Sequence, residues 1–123
     1  MAKQATILIV EDKEPSMRLF RDILGAQGYE IIEIRDGRLA HGRAVEFEPD
    51  LIIMDIQLPG ISGLDAIQQI KQDHTTKDIP ILAVSAFAME EEVEKIKEYG
   101  ADYYISKPVR IKVLTEIVTK VLS

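Results

Sequence analysis

The chain has 123 residues, which is the size of one domain and is enough to bury a core without disulfides. Its net charge of −6 argues against a nucleic-acid partner, because proteins that bind phosphate backbones usually carry a basic face. The absence of cysteine excludes disulfides, thiolate metal sites and cysteine nucleophiles.

The sequence also lacks the patterns of membrane and secreted proteins. No apolar run reaches the length of about 18 residues that a transmembrane helix needs, and the N-terminus has no signal-peptide pattern. We therefore expect a cytoplasmic protein with no membrane partner. Because no linker, repeat or low-complexity segment interrupts the chain, we expect residues 1–123 to form a single domain with no effector domain.

The first half of the chain alternates between strand and helix patterns. Apolar and β-branched runs predict strands, and apolar residues three and four positions apart predict amphipathic helices. The predicted elements are, in order, a strand over Ala5–Val10, a helix with Met17, Phe20 and Leu24 that ends at Gly28, a strand over Glu30–Ile34, a short helix with Ala40, Ala44 and Phe47, and a strand over Leu51–Met54.

The second half continues the same alternation. Its predicted elements are a helix with Leu64, Ile67 and Ile70, a strand over Ile81–Ser85, a helix with Met89, Val93 and Ile96 that ends at Gly100, a strand over Tyr103–Ile105, and a last helix with Leu114, Ile117, Val118 and Val121. Five strands alternating with five helices through short connections predict an α/β fold with a doubly wound parallel sheet. The expected strand order is 2-1-3-4-5, in a flavodoxin-like arrangement.

Polar side chains with complementary chemistry follow four of the predicted strands. Glu11 and Asp12 follow the first strand, Asp55 the third, Ser85 ends the fourth, and Lys107 lies after the fifth. Because the first and third strands are neighbours in the expected order, their three carboxylates should converge at one edge of the sheet. A divalent cation with oxygen ligands, above all Mg²⁺, would relieve the repulsion between them.

The same set fits phosphoryl transfer to a carboxylate. An aspartate repels an incoming phosphoryl group unless positive charge neutralises the carboxylate and the phosphoryl oxygens. The metal ion and Lys107 would supply that charge. Ser85 offers a hydroxyl that can donate to a phosphoryl oxygen. Each residue alone has an ordinary explanation as a cap, a turn or a surface charge, but the conjunction at one edge favours a functional site. The bond between Lys107 and Pro108 is open to both isomers, and a cis bond would aim the lysine into the cleft.

This spaced set, Glu11-Asp12, Asp55, Ser85 and Lys107-Pro108, resembles the receiver domains of two-component response regulators over the whole chain. Within that family, four stretches are most similar to a single-domain member that regulates cell division: Leu19–Glu30, Met54–Leu64, Ala83–Met89 and Tyr104–Pro108. The resemblance implies that Asp55 accepts a phosphoryl group from a histidine kinase or a histidine phosphotransfer protein. It also implies a bacterial signalling protein that catalyses only its own phosphoryl transfer and autodephosphorylation, and is not otherwise an enzyme.

The resemblance also implies roles for the neighbours of Asp55. Mg²⁺, or Mn²⁺ in its place, would be held by Asp12, Asp55 and the backbone carbonyl of Gln57, with Glu11 reaching it through water. Ser85 would turn toward the phosphoryl group, and Tyr104 would swing inward with it. The helix before the fifth strand, that strand and the last helix would then change packing and bind a downstream protein.

Further expectations concern the output and the lifetime of the phosphorylated state. The output surface should include Lys95, Tyr99, Tyr104 and Arg110, on a protein that we expect to be a monomer. Phe87 could shield the phosphoryl group from water and Gln57 occupies the other rate-setting position, so we expect slow hydrolysis. Lys13 adds a positive charge beside the acidic pair. His41 and His74 are predicted to be solvated, and Met17 and Met89 to pack in the core.

Other functions on a similar sheet fit the sequence less well. A phosphohydrolase with an aspartyl intermediate places its nucleophile after the first strand, with a second aspartate two residues on, whereas Asp55 follows the third strand and Gln57 stands there. A flavin carrier would need hydroxyls after the first strand, where Glu11 and Asp12 would repel its phosphate. An unphosphorylated receiver that acts as a scaffold remains an alternative.

Overall fold

The fold is that of a computed structural model, which describes residues 4–86 and 89–123. These residues form a parallel sheet and the helices that connect its strands. The strands are β1 (Thr6–Val10), β2 (Glu30–Ile34), β3 (Leu51–Asp55), β4 (Ile81–Ser85) and β5 (Tyr103–Ser106). The helices are α1 (Glu14–Ala26), α2 (Ala40–Phe47), α3 (Gly63–Gln72), α4 (Glu90–Tyr99) and α5 (Ile111–Leu122), and a short 3-10 helix (Gly37–Leu39) precedes α2.

The strand order is β2-β1-β3-β4-β5 with parallel pairing throughout, which confirms the predicted topology. Val10 of β1 pairs with Met54 of β3, and Asp55 of β3 pairs with Val84 of β4. The carboxyl ends of the three central strands are therefore level with one another. Side chains that follow these strands share one edge of the sheet, where open α/β folds bind ligands.

The sheet separates two apolar cores, because successive side chains of a strand point to opposite faces. Every residue of β3 is buried, as predicted for a strand that is covered on both sides. One core joins Leu8, Ile52 and Met54 to α3 through Ala66, Ile67 and Ile70, and the other joins Ile7, Ile9 and Ile53 to α1 and α5 through Phe20, Leu24 and Leu114. Burial on both faces fixes the position of the carboxyl end of β3.

Helix α4 is the least embedded of the elements near that edge. Among its described residues Ile96 alone is fully buried, and the predicted cap Gly100 follows it with φ 120°. The prediction that Met89 packs in the core is wrong. Met89 precedes the helix in an extended conformation and is 69% exposed, because α4 begins only at Glu90. Met17, by contrast, is fully buried on α1, as predicted.

His41, which was predicted to be solvated, is only partly so, because its side chain is 35% exposed and has a partner. His41 Nε2 lies 2.6 Å from Asp73 Oδ2, so that the pair joins the first turn of α2 to the end of α3. The backbone and hydroxyl of Thr75 also donate to Asp73. The backbone bond from Thr75, followed by the contact with His41, lowers the pKa of Asp73 to about 2. No local pattern predicts this pair, because 32 residues separate its members.

Within the two described ranges, no helix combines the length and the apolar character that crossing a lipid bilayer would require.

Candidate functional site

Three carboxylates lie together at the carboxyl edge of the central strands. Glu11 and Asp12 follow β1 directly, and Asp55 is the last residue of β3. One carboxylate oxygen from each of the three lies within 4.8 Å of the other two. Glu11 is fully buried and Asp55 is 2% exposed, while Asp12 is partly exposed. The convergence that the sequence predicted is therefore present.

The surroundings of Glu11 change its protonation. Burial raises the pKa of Glu11, and the neighbouring Asp55 raises it further by hydrogen bonding and repulsion, while Lys107 opposes both. Two carboxylates this close cannot both be ionised without a compensating charge. The cluster is thus arranged to gain from an added cation.

Lys107 provides one positive charge to the cluster. Its Nζ lies 3.1 Å from Glu11 Oε1 and 3.4 Å from Asp55 Oδ2, and its side chain is 20% exposed. Burial disfavours the charge on Lys107, but Asp55 and Glu11 outweigh that effect and raise its pKa. Its backbone N–H donates to the carbonyl of Ser85 (2.8 Å), which ties the loop after β5 to the end of β4. The bond between Lys107 and Pro108 is cis.

The donor atoms of this cluster fit a hard divalent cation. All are carboxylate oxygens, the ligand type that Mg²⁺ prefers. Among the residues that the structure describes, Asp12 Oδ1 is buried with no hydrogen-bond partner. A buried and unpaired carboxylate oxygen is costly, and a metal ion at this position would satisfy it. Glu11, Asp12 and Asp55 could therefore hold a metal ion.

The backbone around Asp55 is fixed by two close contacts. The N–H of Gln57 donates to Asp55 Oδ1 (3.0 Å), which orients the carboxylate. Gly63, the first residue of α3, lies so near the end of β3 that an added Cβ would be 2.1 Å from the carbonyl oxygen of Asp55. Only glycine allows this approach. Gly63 comes directly before Leu64, the first apolar residue of the predicted helix, and a glycine at a helix start near a candidate site is a signal of close backbone approach.

The Gln57 side chain makes a connection that the sequence did not indicate. Its Nε2 donates to Ser85 Oγ (2.9 Å), and its Oε1 accepts from the backbone N–H of Ala86 (3.0 Å). Ser85 is 1% exposed at the end of β4. The amide therefore links the loop after β3 to the loop after β4.

The proposed switch and output residues lie on neighbouring elements. Tyr104 pairs with Ala83 across β4 and β5, is half-buried, and packs against the core that contains Ile96. Burial raises the pKa of its hydroxyl. It lines a surface cleft of about 430 Å³ together with Pro108, Arg110 and Val113. Of the remaining predicted residues, Lys95 is exposed and Tyr99 is partly exposed, and Phe87 lies outside the described residues.

Comparison with known proteins gives one consistent family. Residues 7–119 match the family described as the response regulator receiver domain. The polar-differentiation response regulator DivK of Brucella ovis is 45% identical over 117 residues, which is 95% of each chain.

Solved structures of the same kind superpose over nearly the whole chain. The chemotaxis protein CheY4 of Vibrio cholerae has a TM-score of 0.91 at 27% identity, over 98% of this chain and 100% of that one. The receiver domain of a Pseudomonas aeruginosa sensor histidine kinase has a TM-score of 0.90 at 28% identity, with the same coverage. That domain was crystallised with a magnesium ion coordinated in its active site cleft.

Proposed function

Because this chain belongs to the response regulator receiver domain family, we propose that it is a cytoplasmic protein of a bacterial two-component phosphorelay and accepts a phosphoryl group on Asp55. The donor would be the phosphohistidine of a histidine kinase or of a histidine phosphotransfer protein. The observation that carries this proposal is the position of Asp55 at the end of β3, where its carboxylate lies beside the buried carboxylate of Glu11 and in contact with the ammonium of Lys107.

The transfer is a substitution at phosphorus. A carboxylate oxygen of Asp55 attacks the phosphorus atom, a P–O bond forms, the P–N bond to the donor histidine breaks, and its electron pair returns to the imidazole nitrogen. Such reactions depend mainly on position and charge. A bound Mg²⁺ or Mn²⁺ would supply positive charge that reduces the repulsion between the carboxylate and the phosphoryl oxygens, as the magnesium-bound relative suggests.

Each residue of the site would have one task. Asp12, Asp55 and the backbone carbonyl of Gln57 would hold the metal ion, with Glu11 acting through water. Lys107 already contacts Asp55 at 3.4 Å and would pair with a phosphoryl oxygen as a compact cation. The N–H of Gln57 keeps the Asp55 carboxylate oriented for attack. Hydrolysis would later break the P–O bond to Asp55, releasing inorganic phosphate and regenerating the carboxylate, so that the protein catalyses its own phosphorylation and dephosphorylation only.

The output would be a change of surface. Ser85 would donate to a phosphoryl oxygen, Tyr104 would move inward, and α4, β5 and α5 would take up a second packing. Few residues of α4 are buried, which supports the proposal that α4 changes its packing. A decisive switch, from 1:99 to 99:1, needs about 5.5 kcal/mol of preference for one packing. The surface around Lys95, Tyr99, Tyr104 and Arg110 would then bind a downstream protein, with residues 1–123 acting as a monomeric receiver domain.

The test is chemical labelling of the purified protein. With acetyl phosphate and Mg²⁺ we expect one acid-stable, alkali-labile phosphoryl group per chain. Asp55→Asn should abolish it, whereas Asp65→Asn, at an exposed position on α3, should leave it unchanged. Absence of any label would instead favour the unphosphorylated scaffold, and catalytic release of phosphate from small substrates would favour a phosphohydrolase.

A further inference from the structure

The Gln57 side chain is held at both of its polar atoms. Its Nε2 lies 2.9 Å from Ser85 Oγ, its Oε1 lies 3.0 Å from the nitrogen of Ala86, and its backbone N–H lies 3.0 Å from Asp55 Oδ1. Gln57 therefore touches the phosphoacceptor candidate through its backbone and the end of β4 through its side chain. Both contacts join residues near the paired carboxyl ends of β3 and β4.

These bonds fix which way the amide faces. A backbone N–H can only donate, so the atom of Gln57 that meets Ala86 must be the acceptor Oε1. The NH₂ group consequently faces Ser85, and an NH₂ group can only donate. Ser85 Oγ must therefore be the acceptor in its bond with Gln57. The hydroxyl hydrogen of Ser85 is directed away from Gln57 as a result.

This direction matters for the chemistry of the site. A phosphoryl group on Asp55 presents oxygens that accept hydrogen bonds, so a serine beside it contributes only if it donates. We propose that Gln57 is a positioning residue that makes Ser85 a hydrogen-bond donor toward the phosphoryl group. The inference rests on the proposed phosphorylation of Asp55 and adds a role for the Gln57 side chain that is separate from its backbone carbonyl.

Two substitutions of similar size separate this role from a merely structural one. Gln57→Glu keeps an oxygen for the N–H of Ala86, but its second oxygen accepts from Ser85 and so takes the serine hydrogen away from the phosphoryl group. Gln57→Met fills the same space and makes neither bond. The carboxylate also adds a negative charge near Asp55, and this effect must be removed by comparison.

A double-mutant cycle with Ser85→Ala makes that comparison. The charge that Gln57→Glu adds slows labelling by acetyl phosphate and Mg²⁺ to the same degree with or without the serine hydroxyl. The loss of the serine hydrogen to the new carboxylate slows labelling only when the hydroxyl is present. We expect Gln57→Glu to slow labelling at least about tenfold more in the native background than in the Ser85→Ala background, the size of one hydrogen bond to a charged group. Equal effects in both backgrounds would overturn the inference while leaving the proposed function intact.

A second measurement needs neither phosphate nor metal. Amide-proton exchange at Ala86, followed by NMR, reports the bond to Gln57 directly. We expect exchange to quicken about fivefold in Gln57→Met, through the loss of one ordinary hydrogen bond, and to stay close to the native rate in Gln57→Glu. An unchanged exchange rate of the Ala86 amide proton in Gln57→Met would contradict the hydrogen bond between Gln57 and Ala86. If the unsubstituted protein takes up no phosphoryl group, the proposed function falls and this inference falls with it.

Discussion

The ammonium nitrogen of Lys107 lies 3.1 Å from Oε1 of Glu11, although 96 residues separate the two in the chain. Glu11 follows the second strand from one edge of the sheet and Lys107 follows the strand at the other edge. Asp55 ends β3, which lies between these two strands, and its Oδ2 is 3.4 Å from the same nitrogen. The cation thus spans the carboxyl edge of the sheet and meets the two most deeply buried carboxylates of the site.

This relationship predicts that Lys107 governs the transfer step. Lys107→Met should slow labelling of Asp55 by about 100-fold or more, because a positioned cation that stabilises transferring charge is worth that much. Lys107→Arg should recover only part of the loss, since a planar guanidinium cannot replace a compact ammonium at both contacts. The rate of label incorporation measures the effect. Lys112→Met, at an exposed position on α5, is the control, and a native rate in Lys107→Met would refute the assignment.

The unpaired oxygen of Asp12 predicts a stabilising metal ion. Mg²⁺ at 100 times its dissociation constant should raise the free energy of unfolding by about 2.7 kcal/mol. In Asp12→Asn this increase should shrink strongly, while the stability without metal should not fall, because Oδ1 has no partner to lose among the described residues. Urea unfolding with and without Mg²⁺ measures both quantities. An undiminished response to Mg²⁺ in the variant would place the ion elsewhere.

The raised pKa of Glu11 predicts how the metal-free protein responds to pH. Burial and Asp55 raise this pKa above the ordinary value of 4.5 in the folded state. Between 4.5 and the raised value the folded protein binds more protons than the unfolded chain, so the contribution of Glu11 to stability falls as the pH rises.

Glu11→Gln isolates this contribution, because its neutral amide does not titrate. In the presence of a chelator the variant should gain stability relative to the native protein as the pH increases from 4.5 toward neutrality. Urea unfolding at a series of pH values measures the difference. A difference that is constant with pH would contradict the prediction.

The close approach of α3 to β3 predicts that Gly63 cannot be replaced. The added methyl of Gly63→Ala would meet the carbonyl oxygen of Asp55 at 2.1 Å and would force the end of β3 or the start of α3 to move. We expect a loss of about 3 kcal/mol in the free energy of unfolding and slower labelling. Gly42→Ala is the matched control, since nothing lies within 4 Å of its added Cβ and α2 should gain up to about 1 kcal/mol. Equal stabilities of the two variants would show that the contact is not tight.

Two positions in the sequence predict the lifetime of the phosphoryl group. With Gln57 at the second position after Asp55 and Phe87 at the second position after Ser85, we expect the phosphorylated protein to hydrolyse over many minutes or longer. The measurement is the decay of label after acetyl phosphate is removed in the presence of Mg²⁺. Decay within seconds would be incompatible with this expectation.

Much of the fold and the main groups of the site could be read from the sequence. The run Leu51–Met54 is apolar without interruption, which predicts a strand that is buried on both faces, and the structure buries all of β3. The expected strand order makes β1 and β3 neighbours, so the residues that follow them should lie close together, and the three carboxylates do lie close together. These inferences succeeded because hydrophobic periodicity and strand ends are local properties of the chain.

Other features depend on how distant segments pack. Helical spacing placed Met89 in a core, yet α4 begins one residue later and leaves Met89 exposed. His41 carried no local mark of a partner, because Asp73 reaches it only when α2 and α3 lie side by side. Whether a side chain at the boundary of an element is covered depends on the elements around it, which no short stretch of sequence specifies.

By itself, the sequence determined the parallel sheet, its order and the acidic edge with Asp55 and Lys107, since apolar runs and the charges that follow them dictate both. Only the tertiary structure decided how that edge is organised. It brought the amide of Gln57 onto Ser85 and pressed Gly63 against the carbonyl of Asp55. Hydrogen bonds between loops need distances of about 3 Å, and such distances are fixed by the packing of whole helices against the sheet.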